Sequence, residues 1–239
     1  MHEKFIVQID ASHCTSIVEG VAHFGRDYGI DCWRYRNLQF ESGKIYGLIG
    51  EYGHGCMYLS YLLGGKINFD DLKIYLNGTR IVRSDLERIS WNLEPNHQFY
   101  GKKVVKKAIE SACKKNKLES GFAEIQEKFC LTSKRENMKL KNLSGERWRA
   151  SAAVGFAEKK KIFYAPYETS TFYYDMCGST LLKALRELTD KGAMVVLPAG
   201  SDDFLKYIAD ECIFLKRDYD IDRLRQRYQE LFQKGDWIL

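Results

Sequence analysis

Short runs in which apolar and polar residues alternate open the chain. "EKFIVQID" and "CWRYRNLQF" have the alternation of half-buried strands. Ser42-Gly43 supplies a turn before "KIYGLIG", a run without alternation, as expected of a strand covered on both faces. "CMYLSYLL" follows as an apolar helix stopped by Gly64-Gly65, and "LKIYLNGTRI" is a hairpin turning at Asn77-Gly78. From about Pro95 to Ala157 the pattern becomes helical and highly charged, so a helical insertion over about 95–157 is predicted between two β-containing parts. Strands return in "KIFYAP", "AMVVLPAG" and "CIFL", separated by the predicted helices "STLLKALRELTDKG" and "SDDFLKYIAD". Strands alternating with helices predict an α/β fold with a mostly parallel sheet covered on both faces. The segment "DIDRLRQRYQELFQKG" puts Ile221, Leu224, Tyr228, Leu231 and Phe232 on one side of an amphipathic helix.

Composition narrows the class. A chain of 239 residues with 45% apolar and 29% charged residues is ordinary for a globular protein. It is expected to form one folding unit, residues 1–239, with the insertion inside it. No apolar run approaches the roughly 18 residues of a membrane span, and "MHEKFIVQID" lacks the apolar stretch of a signal peptide, which together predict a cytoplasmic protein. The seven cysteines (Cys14, Cys32, Cys56, Cys113, Cys130, Cys177 and Cys212) form no C-x-x-C pair, so free thiols and no metal site are expected. The histidines His2, His13, His23, His54 and His97 are dispersed and set up no triad. The net charge is a mild +5, with Lys102, Lys103, Lys106 and Lys107 at helical spacing. The plain reading of that run is a solvated helix face; the sharper ones are anionic lipid or nucleic acid, without the interleaved aromatics of a nucleic-acid reader.

The candidate chemistry begins at "GEYGHGCM". Gly50, Gly53 and Gly55 between an apolar strand and an apolar helix are how a chain builds a cradle for phosphate. Such a loop uses a lysine on the β and γ phosphates, then a hydroxyl residue on Mg²⁺; here those positions hold Cys56 and Met57, followed by Tyr58. Thiol and thioether are poor ligands for a hard cation. What remains is a backbone anion nest from Gly53 to Met57, with His54 inside it as either a phosphate contact or a plain surface histidine.

In its order of segments the chain resembles the ATP-binding cassette (ABC) proteins that power membrane transporters. "GEYGHG" is similar to the family's Walker A loop, and "LKIYLNGTRI" to the hairpin that follows it. "KNLSGERWRASAAVGFAEKKKIFYAPYETS" is similar to the signature helix running into Walker B, and "KGAMVVLPAGSDDFLKYIADECIFL" to the last core strand, switch loop and closing strand. The resemblance implies a P-loop ABC-type ATPase fold, with an N-terminal antiparallel β part and an inserted helical subdomain. It also implies the places where catalytic groups belong. The Walker B acids fall on Pro166 and Tyr167 without gaps, or on Tyr164 and Ala165 if the prolines are paired; Glu168 lies one residue beyond and needs a bulge of which the sequence gives no sign. The switch histidine falls on Gly200, and the lid glutamine near Glu94, whose charge repels phosphate. Phe24 or Tyr28 stands where an adenine-stacking aromatic is usual.

With lysine, both acids and histidine replaced, the resemblance implies a pseudo-ATPase, since each lost donor costs about 10²–10³ in rate. Leu143, Ser144, Gly145 and Glu146 match the signature loop less one glycine. That loop implies a role in completing the ATP site of an active partner cassette, with ATP held at the composite site; a helix start capped by Ser144 is the plain alternative. A transmembrane permease subunit, received near Pro95 to Gly101, is the other implied partner, with no nucleic acid and with membrane contact only through the permease. "TSTFYYD" and "QFY" are interface anchors or core. The competing reading is a soluble regulator or scaffold with the same fold and no transporter.

Overall fold

The computed structural model describes residues 4–12, 17–24, 27–34, 37–51, 54–68, 72–95 and 99–215, and for 17–24 and 27–34 the backbone alone. The predicted helix at 221–232 lies outside the described residues.

An antiparallel sheet opens the chain. It holds β1 (Ile6–Asp10), β4 (Leu38–Glu41), β6 (Lys73–Leu76) and β7 (Thr79–Ile81) in the order β4-β1-β6-β7. The β6–β7 hairpin turns at Asn77-Gly78, both with positive φ, as the sequence predicts. β2 (Ile17–Phe24) and β3 (Asp27–Arg34) form a separate two-stranded ribbon. "CWRYRNLQF" is thus not one strand but the end of β3 and the start of β4.

The second sheet is entirely parallel, β11-β5-β10-β9-β8. Its strands are β5 (Ile45–Ile49), β8 (Ser90–Asn92), β9 (Ile162–Tyr164), β10 (Met194–Ala199) and β11 (Glu211–Phe214). Burial on both faces explains why these strands do not alternate in sequence. Tyr46, Leu48, Ile162, Tyr164, Met194 and Val196 join one core with Phe5, Val7 and Ile74 of the antiparallel sheet and with α1 (Cys56–Leu63). Ile45, Ile49, Phe163, Val195 and Leu197 join the other, with α3 (Val105–Asn116), α5 (Arg147–Ala157) and α7 (Thr180–Asp190).

Between the neighbouring strands β8 and β9 run α3, α4 (Phe122–Lys128) and α5, the helical stretch expected over about 95–157. The shorter α2 (Arg83–Ile89) precedes β8, and α6 (Ser170–Met176) follows β9, its first turn capped by Thr169 Oγ1. The predicted helix "SDDFLKYIAD" is reduced to one 3-10 turn, Leu205–Tyr207. Only Leu205 and Ile208 of that segment bury fully, and their i, i+3 spacing suits a single tight turn better than a continuing helix.

Candidate functional site

The glycine loop links β5 to α1 at the carboxyl end of the parallel sheet, where ligands of open α/β sheets bind. Gly55 caps α1 at φ +97°, a left-handed conformation that suits glycine. Gly53 lies outside the described residues. Cys56 and Met57, at the lysine and hydroxyl positions, are both buried, and the Cys56 thiol turns back on the loop to the Gly50 carbonyl at 3.6 Å. Gly50 itself has no room for a side chain: a Cβ there meets Leu215 O at 2.7 Å and Cys56 Sγ at 2.8 Å. His54 faces the Glu51 carboxylate at 3.8 Å.

Three stations that are far apart in sequence meet at this loop. The Tyr167 hydroxyl donates to Gly50 O at 3.3 Å and lies against Gly200, where a Cβ would come within 2.6 Å of it. Any side chain at Gly200 therefore displaces the phenol or pushes it off Gly50. Tyr173, buried, donates its hydroxyl to Pro198 O at 2.9 Å, and Glu168, Tyr167 and Cys56 all lie within electrostatic reach of it. Burial, then these neighbours, holds the Tyr173 phenol well above the usual tyrosine range.

The strand end carries the bulge for which the sequence shows no sign. β9 and β10 pair with an offset of 32 residues at Ile162↔Met194 through Tyr164↔Val196, but Glu168 pairs with Ala199 at an offset of 31. One extra residue is thus accommodated between Tyr164 and Glu168, and such a slip exchanges the faces of the sheet. Tyr167 accordingly packs with Tyr164 on the α1 side, although its odd position would otherwise align it with Phe163 and Ala165 on the opposite side. Tyr164 and Ala165, the other register for the acids, are structural. The Tyr164 ring covers Gly64 and packs edge-on against Tyr61, and Ala165 O accepts from Ser60 Oγ at 2.6 Å.

Glu168, bridged to Ala199, lies within electrostatic reach of Glu94 and Arg147 at the helical insertion and of Tyr61 on α1. Burial, reinforced by the Glu94 carboxylate and opposed by Arg147, pushes it up to about 7 from 4.5. Folded and unfolded chains both carry the proton below pH 4.5; as pH rises toward 7 the unfolded chain releases it first, so stability falls across that window and the loss is complete above it. Because Glu168 is only partly buried, the loss is about 1–2 kcal/mol after solvent screening. Denaturant titrations of wild type and Glu168→Gln at pH 4.5 and 8 are expected to show this fall in wild type and its absence in the variant.

Glu94 is held by partners on α5. Its Oε2 accepts from Arg147 Nε at 2.8 Å and Trp148 Nε1 at 3.0 Å, a buried ion pair with the start of α5. In the signature segment, Leu143 is buried while Ser144 and Gly145 are exposed, with nothing within 4 Å of a Cβ on Gly145. The cap of α5 is not Ser144 but Glu146, whose side chain makes no cap bond. Glu146 points inward, accepting from Thr132 N at 2.6 Å and pairing with Arg135 and Arg149 at 3.5 and 3.8 Å. Sequence reasoning missed both Glu146 and Arg147 as internal partners; the i, i+3 spacing of Glu146 and Arg149 was the available signal.

The aromatic clusters divide. Tyr173 is core, Phe172 packs on Trp148, and Tyr174 is exposed against Phe204. Tyr100 of "QFY" is partly buried against the core, stacked on Trp91 and bonded to Ser151 and the Asn92 carbonyl. Phe24 and Tyr28 lie at the turn end of the β2–β3 ribbon.

At the described residues of the loop, the lysine and hydroxyl positions do not suit phosphates held with Mg²⁺. The lysine and hydroxyl positions are buried thiol and thioether, and of the carboxylates near the loop Glu51 faces His54 while Glu168 lies among Glu94 and Arg147. Among the described residues, no group of three or more His, Cys, Asp or Glu side chains is arranged to hold a metal ion. Nor is any described helix long and apolar enough to cross a membrane.

The antiparallel sheet, the parallel core with its glycine loop and buried helix, and the helices inserted between β8 and β9 define an α/β fold of the P-loop ATPase type, that of ABC transporter cassettes. Cassette cbiO1 from Clostridium perfringens, part of the ABC transporter complex cbiONQ, matches at a TM-score of 0.63 and 14% identity, over 99% of this chain and 96% of its own. The dimeric bacterial ABC transporter cassette MJ0796 matches at 0.60 and 14%, over 88% and 94%. The ADP conformation of MJ1267, an ATP-binding cassette of an ABC transporter, matches at 0.59 and 16%, over 88% and 87%. No protein-family profile and no curated protein sequence matches the chain.

Proposed function

We propose that this chain is a catalytically inactive ABC cassette that pairs with an active cassette and with transmembrane permease subunits on the cytoplasmic face of a membrane, lending its signature loop to the partner's ATP site. The observation that carries the reading is Tyr167, whose phenol bonds to Gly50 and fills the space beside Gly200. Hydrolysis needs a cation on the phosphates, a hard-oxygen ligand for Mg²⁺ and a carboxylate to orient water. At the corresponding places this chain has a thiol, a thioether, a phenol and a glycine. The replacements fit one another: the missing side chain at Gly200 makes the space that Tyr167 takes. Such mutual packing is what a loop retained for shape, without turnover, is expected to develop.

The lending role rests on Ser144 and Gly145, which are exposed at the start of α5 with open space before them. Backbone N–H groups at a helix start of this kind favour an anion brought by a partner. The purified chain is expected to show no Mg²⁺-dependent ATP turnover. Co-expressed with a cassette that has intact Walker motifs, it is expected to co-purify with it, and Ser144→Arg to lower the partner's ATPase at least about tenfold by placing bulk and charge where a phosphate would approach. Turnover by the chain alone would overturn the inactive assignment, and an unchanged partner ATPase with Ser144→Arg would remove the lending role.

A further inference from the structure

Two stretches of the chain without a single acidic residue, 95–109 and 137–145, meet at one corner of the helical insertion. Leu140 N donates to Lys103 O and Val105 N to Met138 O, each at 3.0 Å, and Val104 and Lys139 form an antiparallel bridge. Lys102, Lys103, Lys139 and Lys141 are all exposed there, with Lys107 beside them on the first turn of α3. The acids that flank the corner are already engaged. Glu136 pairs with Lys106 at 3.1 Å, Glu146 is buried with Arg135 and Arg149, and Glu94 is buried with Arg147. Further along α3 the exposed face is of mixed charge, with Glu110 one turn from Lys107 and Lys115 paired to Glu158. The uncompensated positive charge therefore belongs to the corner and not to the helix.

The chemistry of the corner selects among anionic partners. The arginines near it, Arg135, Arg147 and Arg149, are each paired with a buried glutamate, so among the described residues the unpaired cations of the corner are lysines. An arginine fork suits the fixed carboxylates of a protein partner, whereas lysine is a hydrated point charge on a flexible stem, suited to a diffuse layer of phosphates. Among the side chains described there, no exposed aromatic lies between these lysines for stacking on a base, but Met138, an exposed apolar side chain, does lie between them. We propose that this corner docks directly on the anionic phospholipid headgroups of a bilayer surface, in addition to any contact made through a membrane subunit.

The test uses the purified full-length chain and protein-free vesicles, so its outcome does not depend on transporter assembly. At about 0.1 M salt the chain is expected to co-sediment with vesicles of phosphatidylcholine containing about 30% phosphatidylglycerol, on the order of a hundredfold more strongly than with phosphatidylcholine alone. At about 0.5 M salt most of that preference is expected to vanish through screening. Combining Lys102→Gln, Lys103→Gln, Lys139→Gln and Lys141→Gln should weaken binding at least about tenfold. Lys114→Gln with Lys117→Gln, on the mixed-charge end of α3, should leave it within about twofold, and circular dichroism checks that both variants fold. Equal binding to neutral vesicles, or no loss in the fourfold variant, would overturn the proposal. So would capture of polyglutamate or single-stranded DNA by the corner in the absence of any vesicle binding.

Discussion

Glu146→Ala is expected to destabilise the chain by about 3–5 kcal/mol, a large fraction of the ~5–15 kcal/mol that holds a typical domain. At the start of α5 a glutamate would ordinarily be a surface residue interacting weakly with the helix dipole, for an effect below about 1 kcal/mol. Here its side chain is buried and accepts from Thr132 N at 2.6 Å. Arg149, which pairs with it at 3.8 Å, is itself mostly buried and also donates to Cys130 O and Thr180 Oγ1. Removing the carboxylate leaves a buried cation and a backbone donor uncompensated, which costs more than the pair contributed when whole. Glu146→Gln keeps an acceptor for Thr132 and loses only the charge, so a smaller cost of about 1–3 kcal/mol is expected. Urea unfolding followed by circular dichroism checks both values. A loss under 1 kcal/mol for the alanine variant would mean that the inward orientation does not hold in solution.

Gly65→Ala is expected to cost at least about 3 kcal/mol, more than almost any other single methyl addition to this chain. Gly65 follows α1 at φ +66°, and the Gly65 and Lys66 N–H groups donate back to Leu62 O and Tyr61 O, both at 2.9 Å. This is the double-bonded helix stop in which glycine is preferred at the left-handed position. The left-handed conformation alone costs an L-residue roughly 1 kcal/mol. Beyond it, a Cβ would meet Glu87 N at 2.4 Å and Arg83 O at 2.8 Å, backbone atoms of α2 that cannot swing aside as a side-chain tip can. The adjacent Gly64 is different: its φ is ordinary, and a Cβ there meets the Tyr164 ring at 2.5 Å. Thermal unfolding distinguishes the two, since Gly64→Ala is expected to cost about 1–3 kcal/mol through overpacking.

The same pair of glycines shows what sequence conveys well. A run of apolar residues ending in Gly64-Gly65 marks a helix and its stop through local chemistry alone. Likewise "KIYGLIG", "KIFYAP" and "AMVVLPAG" identify themselves as doubly buried strands because both of their faces supply apolar residues. The site was legible in part. Its positions, Gly50, Cys56, Tyr167 and Gly200, follow from the order of motifs, and the structure brings them into one contact set. Their orientations were not legible. That Tyr167 faces α1 while Glu168 bridges to Ala199 depends on how β9 pairs with β10, a long-range fact that no local pattern encodes. The inward turn of Glu94 and Glu146 is hidden for a related reason: their arginine partners on α5 are named by packing, and an exposed ion pair would have had the same sequence.

The shift from an offset of 32 to one of 31 along β9 and β10 decides what kind of mutation can alter what this strand end presents. Substitutions alter the group presented at each position but leave its facing untouched. Removing a single residue such as Pro166 would take up the extra residue and restore a uniform offset, leaving the phenol, now two positions past Tyr164, on the α1 side and the carboxylate, three past it, on the other. The phenol therefore keeps its facing with or without the extra residue, and a loop facing an acid is reached through an exchange at position 167 itself, not through a change of length.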